Sequence, residues 1–176
     1  MFSFDKPVFN WLYGSVGRFW FFDYSIVFLA NWLIFFAIII FAAAILRSKS
    51  LKERARLISL SVLSVILSRG IIAEIIRYVA YTPRPFEELG IQPLFDQYAT
   101  ASMPSGHVSF LFPIALVAYS YNKKLGMALI IATVLMGLAR VAAGVHWFSD
   151  IIGGLIVGFA GFWIARKLLS KLADKK

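Results

Sequence analysis

Three arginines, two histidines and one carboxylate recur in this chain at spacings that suggest phosphate chemistry. Arg77 and Arg84 precede a Pro104-Ser105-Gly106-His107 run, and Arg140, His146 and Asp150 follow it. His107 and His146 are the only 2 histidines of the chain. Guanidinium forks grip phosphate oxygens bidentately, so a phosphate is a natural shared partner for Arg77, Arg84 and Arg140. Each arginine taken alone is equally compatible with structural pairing to Glu74, Glu87, Glu88, Asp96 or Asp150. Ser105 is a good helix N-cap, with first-turn N–H groups pointing at an incoming anion, and Gly106 lets a phosphate approach the backbone. Residues 104–107 alone also fit an ordinary capped helix start with a polar histidine in its first turn. His146 and Asp150 are four apart, as on one helical face, although Gly144 stands ready to break that helix. A carboxylate on one imidazole nitrogen fixes the tautomer and leaves the other nucleophilic. Asp150 as a simple cap of the next helix fits the same position. Glu74, three residues before Arg77, is suited to steady that arginine or Arg69, and Arg69 itself reads as structural.

These residues sit in a chain that reads as membrane. Of 176 residues 60% are hydrophobic, among them 17 Phe and 5 Trp, and the mean hydropathy is +0.79. Such a composition is far from that of a soluble domain. The net charge of +9 has no basic patch with interleaved aromatics, so nucleic acid is not an expected partner. Without cysteine the chain has neither disulfides nor a thiol nucleophile. No basic region leads into a short apolar one at the N-terminus, so no cleavable signal peptide is expected.

The expected fold is an all-α integral membrane bundle, one domain over residues 1–176, with five transmembrane helices in residues 25–165. Residues 25–46 carry no charge over a length sufficient to cross a hydrocarbon core of about 30 Å. Residues 57–79, 105–121, 125–145 and 151–165 supply the other four spans. The Pro-rich loop at residues 80–104 is too polar and broken to be one. The third and fifth spans are short, roughly 26 and 22 Å at about 1.5 Å per residue, which predicts a site sunk below the outer surface. Residues 1–23 read as an interfacial amphipathic helix, with Phe9, Leu12, Val16 and Phe19 or Trp20 at helical spacing. A frayed aromatic lead-in is the alternative. Gly153, Gly154, Gly158 and Gly161 suit close helix packing.

Loop charges orient the bundle. Arg47, Lys49, Lys52, Arg54 and Arg56 follow the first span, and Lys123 and Lys124 the third. Arg166, Lys167, Lys171, Lys175 and Lys176 follow the fifth, so twelve of the 18 basic residues share one side. That side is expected to be cytoplasmic, with the C-terminus, and the other to face the exterior or periplasm. All candidate site residues then fall at the outer face.

The three runs together resemble the type 2 phosphatidic acid phosphatase family, membrane relatives of bacterial acid phosphatases and vanadium haloperoxidases. That family carries Lys-six residues-Arg-Pro, Pro-Ser-Gly-His and Ser-Arg-five residues-His-three residues-Asp, matched here by residues 77–85, 104–107 and 139–150. Arg77 stands for the family lysine and keeps its charge. Ala139 stands for the family serine and removes a hydroxyl.

The resemblance implies a metal-independent lipid phosphatase without cofactor. His146 would attack phosphorus to form a phosphohistidine, oriented by Asp150, with His107 as acid and then base. Arg77, Arg84, Arg140 and the N–H groups near Ser105 and Gly106 would hold the oxygens, whose spreading charge catalysis must stabilise. The implied substrate is a bacterial envelope lipid in the inner membrane, lipid A 1-phosphate or undecaprenyl diphosphate, with phosphatidylglycerol phosphate or phosphatidic acid as alternatives. The acidic loop residues Glu87, Glu88 and Asp96 suit a pocket rim. Two readings compete. One is a metal site from His107, His146, Asp150 and a further acid. The other is a small lipid or anion transporter, since intramembrane charges also mark transport pathways. Oligomeric state is not legible.

Overall fold

A computed structural model describes residues 2–48 and 50–173, so the expectations for Lys49, Lys175 and Lys176 lie outside the described residues. The described residues are helical, without a strand: α1 (Asp5–Tyr13), α2 (Trp20–Asn31), α3 (Leu33–Arg47), α4 (Leu51–Val65), α5 (Ala73–Val79), α6 (Pro85–Leu89), α7 (Gly106–Tyr121), α8 (Lys123–Ala142) and α9 (Phe148–Ala173). A π-helical turn, Ile66–Ile72, joins α4 to α5 without a break. Together they form one 29-residue apolar helix, Leu51–Val79.

α7 is the central pillar. It is apolar nearly all round, and Val108, Leu111, Ala115, Val117 and Ala118 are inaccessible to solvent, as befits a helix surrounded by others. α8, α9 and α4 pack around it. α9 comes close because it presents glycines. A Cβ on Gly154 would lie 2.8 Å from Val108 Cβ, and one on Gly161 2.6 Å from Ser68 Cβ. The expected packing role of these glycines is thus visible as contact distances.

The outside is as apolar as the inside. Phe28, Phe35, Ile39, Ile58, Val62, Ile131, Ile156 and Phe159 are all exposed. A belt of this kind is unstable in water and natural in lipid, where side chains are solvated by acyl chains. The chain is a membrane protein. Leu51–Val79, Lys123–Ala142 and Phe148–Leu172 are each long and apolar enough to cross a bilayer, and α2 with α3 pass the same test as a bent pair. α7 is a shorter apolar helix.

Three expectations change. The first span is not one straight helix, because α2 and α3 meet at an angle of 48°. The bend falls at Asn31–Trp32, where the carbonyl of Ala30 turns to Arg140 Nη1 at 3.1 Å. An outside donor captures a carbonyl of the helical ladder there, a recognised cause of kinks. The fifth span is not short, because α9 continues through its basic residues to Ala173, roughly 39 Å at 1.5 Å per residue. Its length therefore says nothing about the depth of the site.

The third change concerns residues 1–23, which do not form one continuous helix. α1 ends at Tyr13 and α2 starts at Trp20. Phe9, on the apolar face of α1, is buried and packs against Trp147 with ring centroids 5.3 Å apart. Buried Asp5 accepts from Ser149 N at 2.8 Å and Ser149 Oγ at 2.9 Å. α1 is docked on the bundle because a buried carboxylate requires such donors.

Candidate active site

The candidate residues converge at one end of the bundle. Arg77 is in the last turn of α5, Arg84 precedes α6, Gly106 and His107 open α7, and Arg140 is in the last turn of α8. His146 lies in the turn between α8 and α9, whose first turn carries Asp150. Arg47, Lys52, Lys123 and Arg166 belong to the opposite ends of their helices. A cavity of about 320 Å³ is lined by Arg77, Arg84, Gly106, His107, Arg140 and His146, with Gln97 and Thr100 from the loop. Arg69, Ile34 and Phe110 complete its wall.

The α8–α9 turn sets the imidazole. Gly144 takes φ +84°, a left-handed conformation open to glycine without strain, and ends α8. The helix does break there, yet the His146–Asp150 contact forms, with Nδ1 3.0 Å from Oδ2. Asp150 reaches it from the new helix start, where the same oxygen also accepts from Trp147 N at 2.8 Å. Ser102 Oγ donates to it as well. The relay and capping readings of Asp150 thus coexist. The carboxylate places the imidazole proton on Nδ1 and leaves Nε2 facing the cavity, 3.5 Å from Arg84 Nη1. Burial pushes the His146 pKa below its usual 6.5 to about 4, and the bond and charge of Asp150 offset this only in part. Burial also lowers Arg84, followed by the charge of Arg77.

Two arginines are held by neutral groups alone. Arg84 donates to Thr100 O, Val145 O and Thr100 Oγ1 at 3.0, 2.8 and 3.1 Å. Arg140 donates to Ala30 O at 3.1 Å, Asn31 Oδ1 at 3.3 Å and Gln97 Oε1 at 3.0 Å. Its Nη1 is also 3.4 Å from His107 Nε2. Both side chains are buried. Among the described residues neither has a carboxylate within salt-bridge distance. Structural pairing with the nearby acids therefore does not account for them. Buried guanidinium groups want an anion. Arg77 differs, pairing with Glu74 at 3.2 Å and donating to Pro104 O at 2.9 Å.

Several positions depart from expectation. Ser105 is buried and does not line the cavity: its N–H donates to Asp150 O at 3.0 Å, and its Oγ has no partner. Its amide is thus committed to joining α7 and α9, although Gly106 and His107 remain in the open first turn. Arg69, read as structural, pairs with Glu74 and also lines the cavity. Glu74 thus serves both Arg69 and Arg77. Ala139 faces the apolar cluster with Ile26 and Ala30, away from the cavity wall. A hydroxyl there would meet α2. Besides Arg84, the loop residues Gln97 and Thr100 line the cavity, whereas Glu87 accepts from Arg84 N at 3.0 Å and Tyr81 Oη at 3.1 Å. Glu88 and Asp96 line other hollows.

Sequence reasoning passed over Asn31, Gln97, Thr100 and Ser102. Asn31 had one signal, an amide inside an uncharged apolar run. Ser102 stands two residues before Pro104, in a stretch of small residues that gave none. Among the described residues no three His, Asp or Glu side chains are grouped so as to hold a metal ion.

Similarity to known proteins agrees in extent with this geometry. Undecaprenyl-diphosphatase BcrC of Bacillus subtilis (strain 168) is 33% identical over 87 residues, 49% of this chain and 45% of that protein. The chain spans about half the length of the curated relatives it matches. The crystal structure of Aquifex aeolicus LpxE superposes with a TM-score of 0.75 at 22% identity, covering 94% of this chain and 96% of that one. That of the first transmembrane PAP2 type phosphatidylglycerolphosphate phosphatase from Bacillus subtilis gives 0.65 at 18% identity, covering 96% and 86%. Likeness at such identities establishes the fold. The model of the PAP2 superfamily matches residues 58–174, which takes in every cavity arginine and both histidines, and to that superfamily this chain belongs.

Proposed function

We propose that the chain is a metal-independent lipid phosphatase acting through a phosphohistidine. The carrying observation is the pair of buried arginines, Arg84 and Arg140, with neutral partners only, facing the same cavity as His146 Nε2. A phosphate in that cavity supplies the missing charge and meets a nucleophile already set by Asp150. His146 Nε2 bonds to phosphorus while the ester P–O bond breaks and its electron pair leaves with the lipid. His107 protonates the leaving oxygen where that oxygen needs a proton. It then takes a proton from the water that cleaves the N–P bond. Arg77, Arg84 and Arg140, with the N–H groups of Gly106 and His107, stabilise the equatorial oxygens. Ser105 has no part in this scheme.

The whole of residues 1–176 acts as one domain, crossing the bilayer five times: α2 with α3, α4 with α5, α7, α8 and α9. Its basic ends lie in the cytoplasm and its cavity faces the exterior of a bacterial inner membrane. The substrate is an envelope lipid, undecaprenyl diphosphate or lipid A 1-phosphate. The name of BcrC favours the former.

Phosphate release from purified protein in detergent tests this reading. Activity is expected to survive excess chelator and to fall with vanadate, and acid quench is expected to trap a phosphohistidine that His146→Ala lacks. Near-normal turnover by His146→Ala would sink the assignment. Lipid movement without phosphate release would identify a transporter instead.

A further inference from the structure

Arg69 is the cavity cation that the three family motifs leave out. It sits in the π-helical turn Ile66–Ile72, and such turns gather at functional sites because they redirect a side chain. The turn is held in place by its neighbours. Ser68 Oγ donates to Ser109 O at 2.8 Å, and Gly161 of α9 leaves no room beside Ser68. The guanidinium of Arg69 lies over the start of α7 beside that of Arg77: a Cβ on Gly106 would be 2.9 Å from Arg69 Nε and 3.0 Å from Arg77 Nη2. Only Nη1 of Arg69 bonds to protein, on Glu74, which leaves Nε and Nη2 for a ligand among the described residues.

Position decides what that ligand is. In the mechanism proposed above, the leaving group departs on the His107 side, and Arg69 lies beside His107's neighbour Gly106. Phe110, one turn further along α7, and Ile34 of α3 give the cavity its apolar wall. The lining therefore combines His146 and the motif arginines with His107, Arg69 and this hydrocarbon wall. A monophosphate would leave Arg69, paired only with Glu74, beside the first carbons of a lipid chain with its Nε and Nη2 unused. A diphosphate places a second anion there.

We infer that Arg69 binds the second, lipid-linked phosphate of a diphosphate and makes the cavity selective for lipid diphosphates over monophosphates. This rests on the phosphatase reading. Attack by His146 on the terminal phosphorus breaks its bond to the bridging oxygen, whose electron pair stays on the departing lipid monophosphate. Arg69 stabilises that charge, so this departure needs no proton from His107. Water then cleaves the N–P bond, giving inorganic phosphate, and its proton passes to His107.

The test compares farnesyl diphosphate with farnesyl monophosphate, assayed by phosphate release in detergent with wild type, Arg69→Ala and Arg69→Lys. Wild type is expected to prefer the diphosphate. Arg69→Ala should lower kcat/KM for the diphosphate about 10- to 100-fold, the worth of a charge-assisted pair, and for the monophosphate less than about 3-fold. Arg69→Lys keeps the charge without the fork and should fall between. If Arg69→Ala does not fold, Arg69→Lys decides, because its diphosphate-to-monophosphate ratio must drop. Equal losses on both substrates, no loss on either, or a wild-type preference for the monophosphate would overturn the role of Arg69 while leaving the phosphatase intact. Absence of release from either substrate by wild type would overturn both.

Discussion

At the scale of single residues, the proposed chemistry depends on the charge state of His146. The nucleophilic form is the neutral imidazole, populated above its pKa. Burial lowers that pKa to about 4 against the usual 6.5. The acid limb of kcat/KM is therefore expected nearer pH 4 than 6.5, with activity rising as pH increases through it. A limb at 6.5 in the pH–rate profile would mean that His146 is solvated or not the base observed. The same shift bears on stability. The unfolded histidine binds a proton below about 6.5, the folded one only near 4, so stability contributed at neutral pH is lost as pH falls through that window. Asp150→Asn keeps the shape but can hold the wrong tautomer. It is expected to lower kcat about 10²- to 10⁴-fold with KM little changed, as steady-state kinetics would record.

At the scale of elements, the turn between α8 and α9 is braced from three directions. The loop holds it through Trp147 Nε1 to Pro83 O at 3.0 Å, and α7 through Ser105 N to Asp150 O. α1 holds it through Asp5. Asp5 accepts from Phe2 N as well as both Ser149 groups, and its removal orphans buried donors beside Asp150. Asp5→Ala is expected to cost about 2–4 kcal/mol, the sum of a few such bonds. It should also slow turnover, because the turn that aims His146 loosens. A melting temperature in detergent unchanged from wild type would refute this coupling. α2 acts on the site in the same indirect way. Its break at Asn31 supplies Arg140 with two neutral acceptors, which fix the guanidinium without neutralising it.

At the scale of the whole molecule, the separation of polar ends is the organising feature. The cavity is built where α3, α5, α7 and α8 begin or end on one side, with Arg69 from the π-helical turn and His146 and loop residues between helices, and the described basic loops lie on the other. The chain has no cysteine, so single cysteines report orientation without further changes. Tyr98→Cys, at an exposed loop position, is expected to react with an impermeant maleimide in intact cells. Lys124→Cys, at the opposite end, is expected to react only after permeabilisation. Labelling of both from one side would reverse or break the proposed topology.

The linear chain carried the membrane class, the polarity of the loops and the motif residues of the cavity, because lipid imposes long apolar runs and motif spacing survives without knowledge of contacts. It did not carry the placement of Arg69, which a π-helical turn aims at the cavity, or the withdrawal of Ser105 N–H to Asp150 O. Nor did it show that Phe9 and Asp5 would dock α1 on the bundle. Asn31, Gln97, Thr100 and Ser102 became site residues only through partners 16 to 109 positions away. Apolar periodicity records which faces avoid water. Which buried donor meets which acceptor depends on how helices pack, and that pairing exists only in three dimensions.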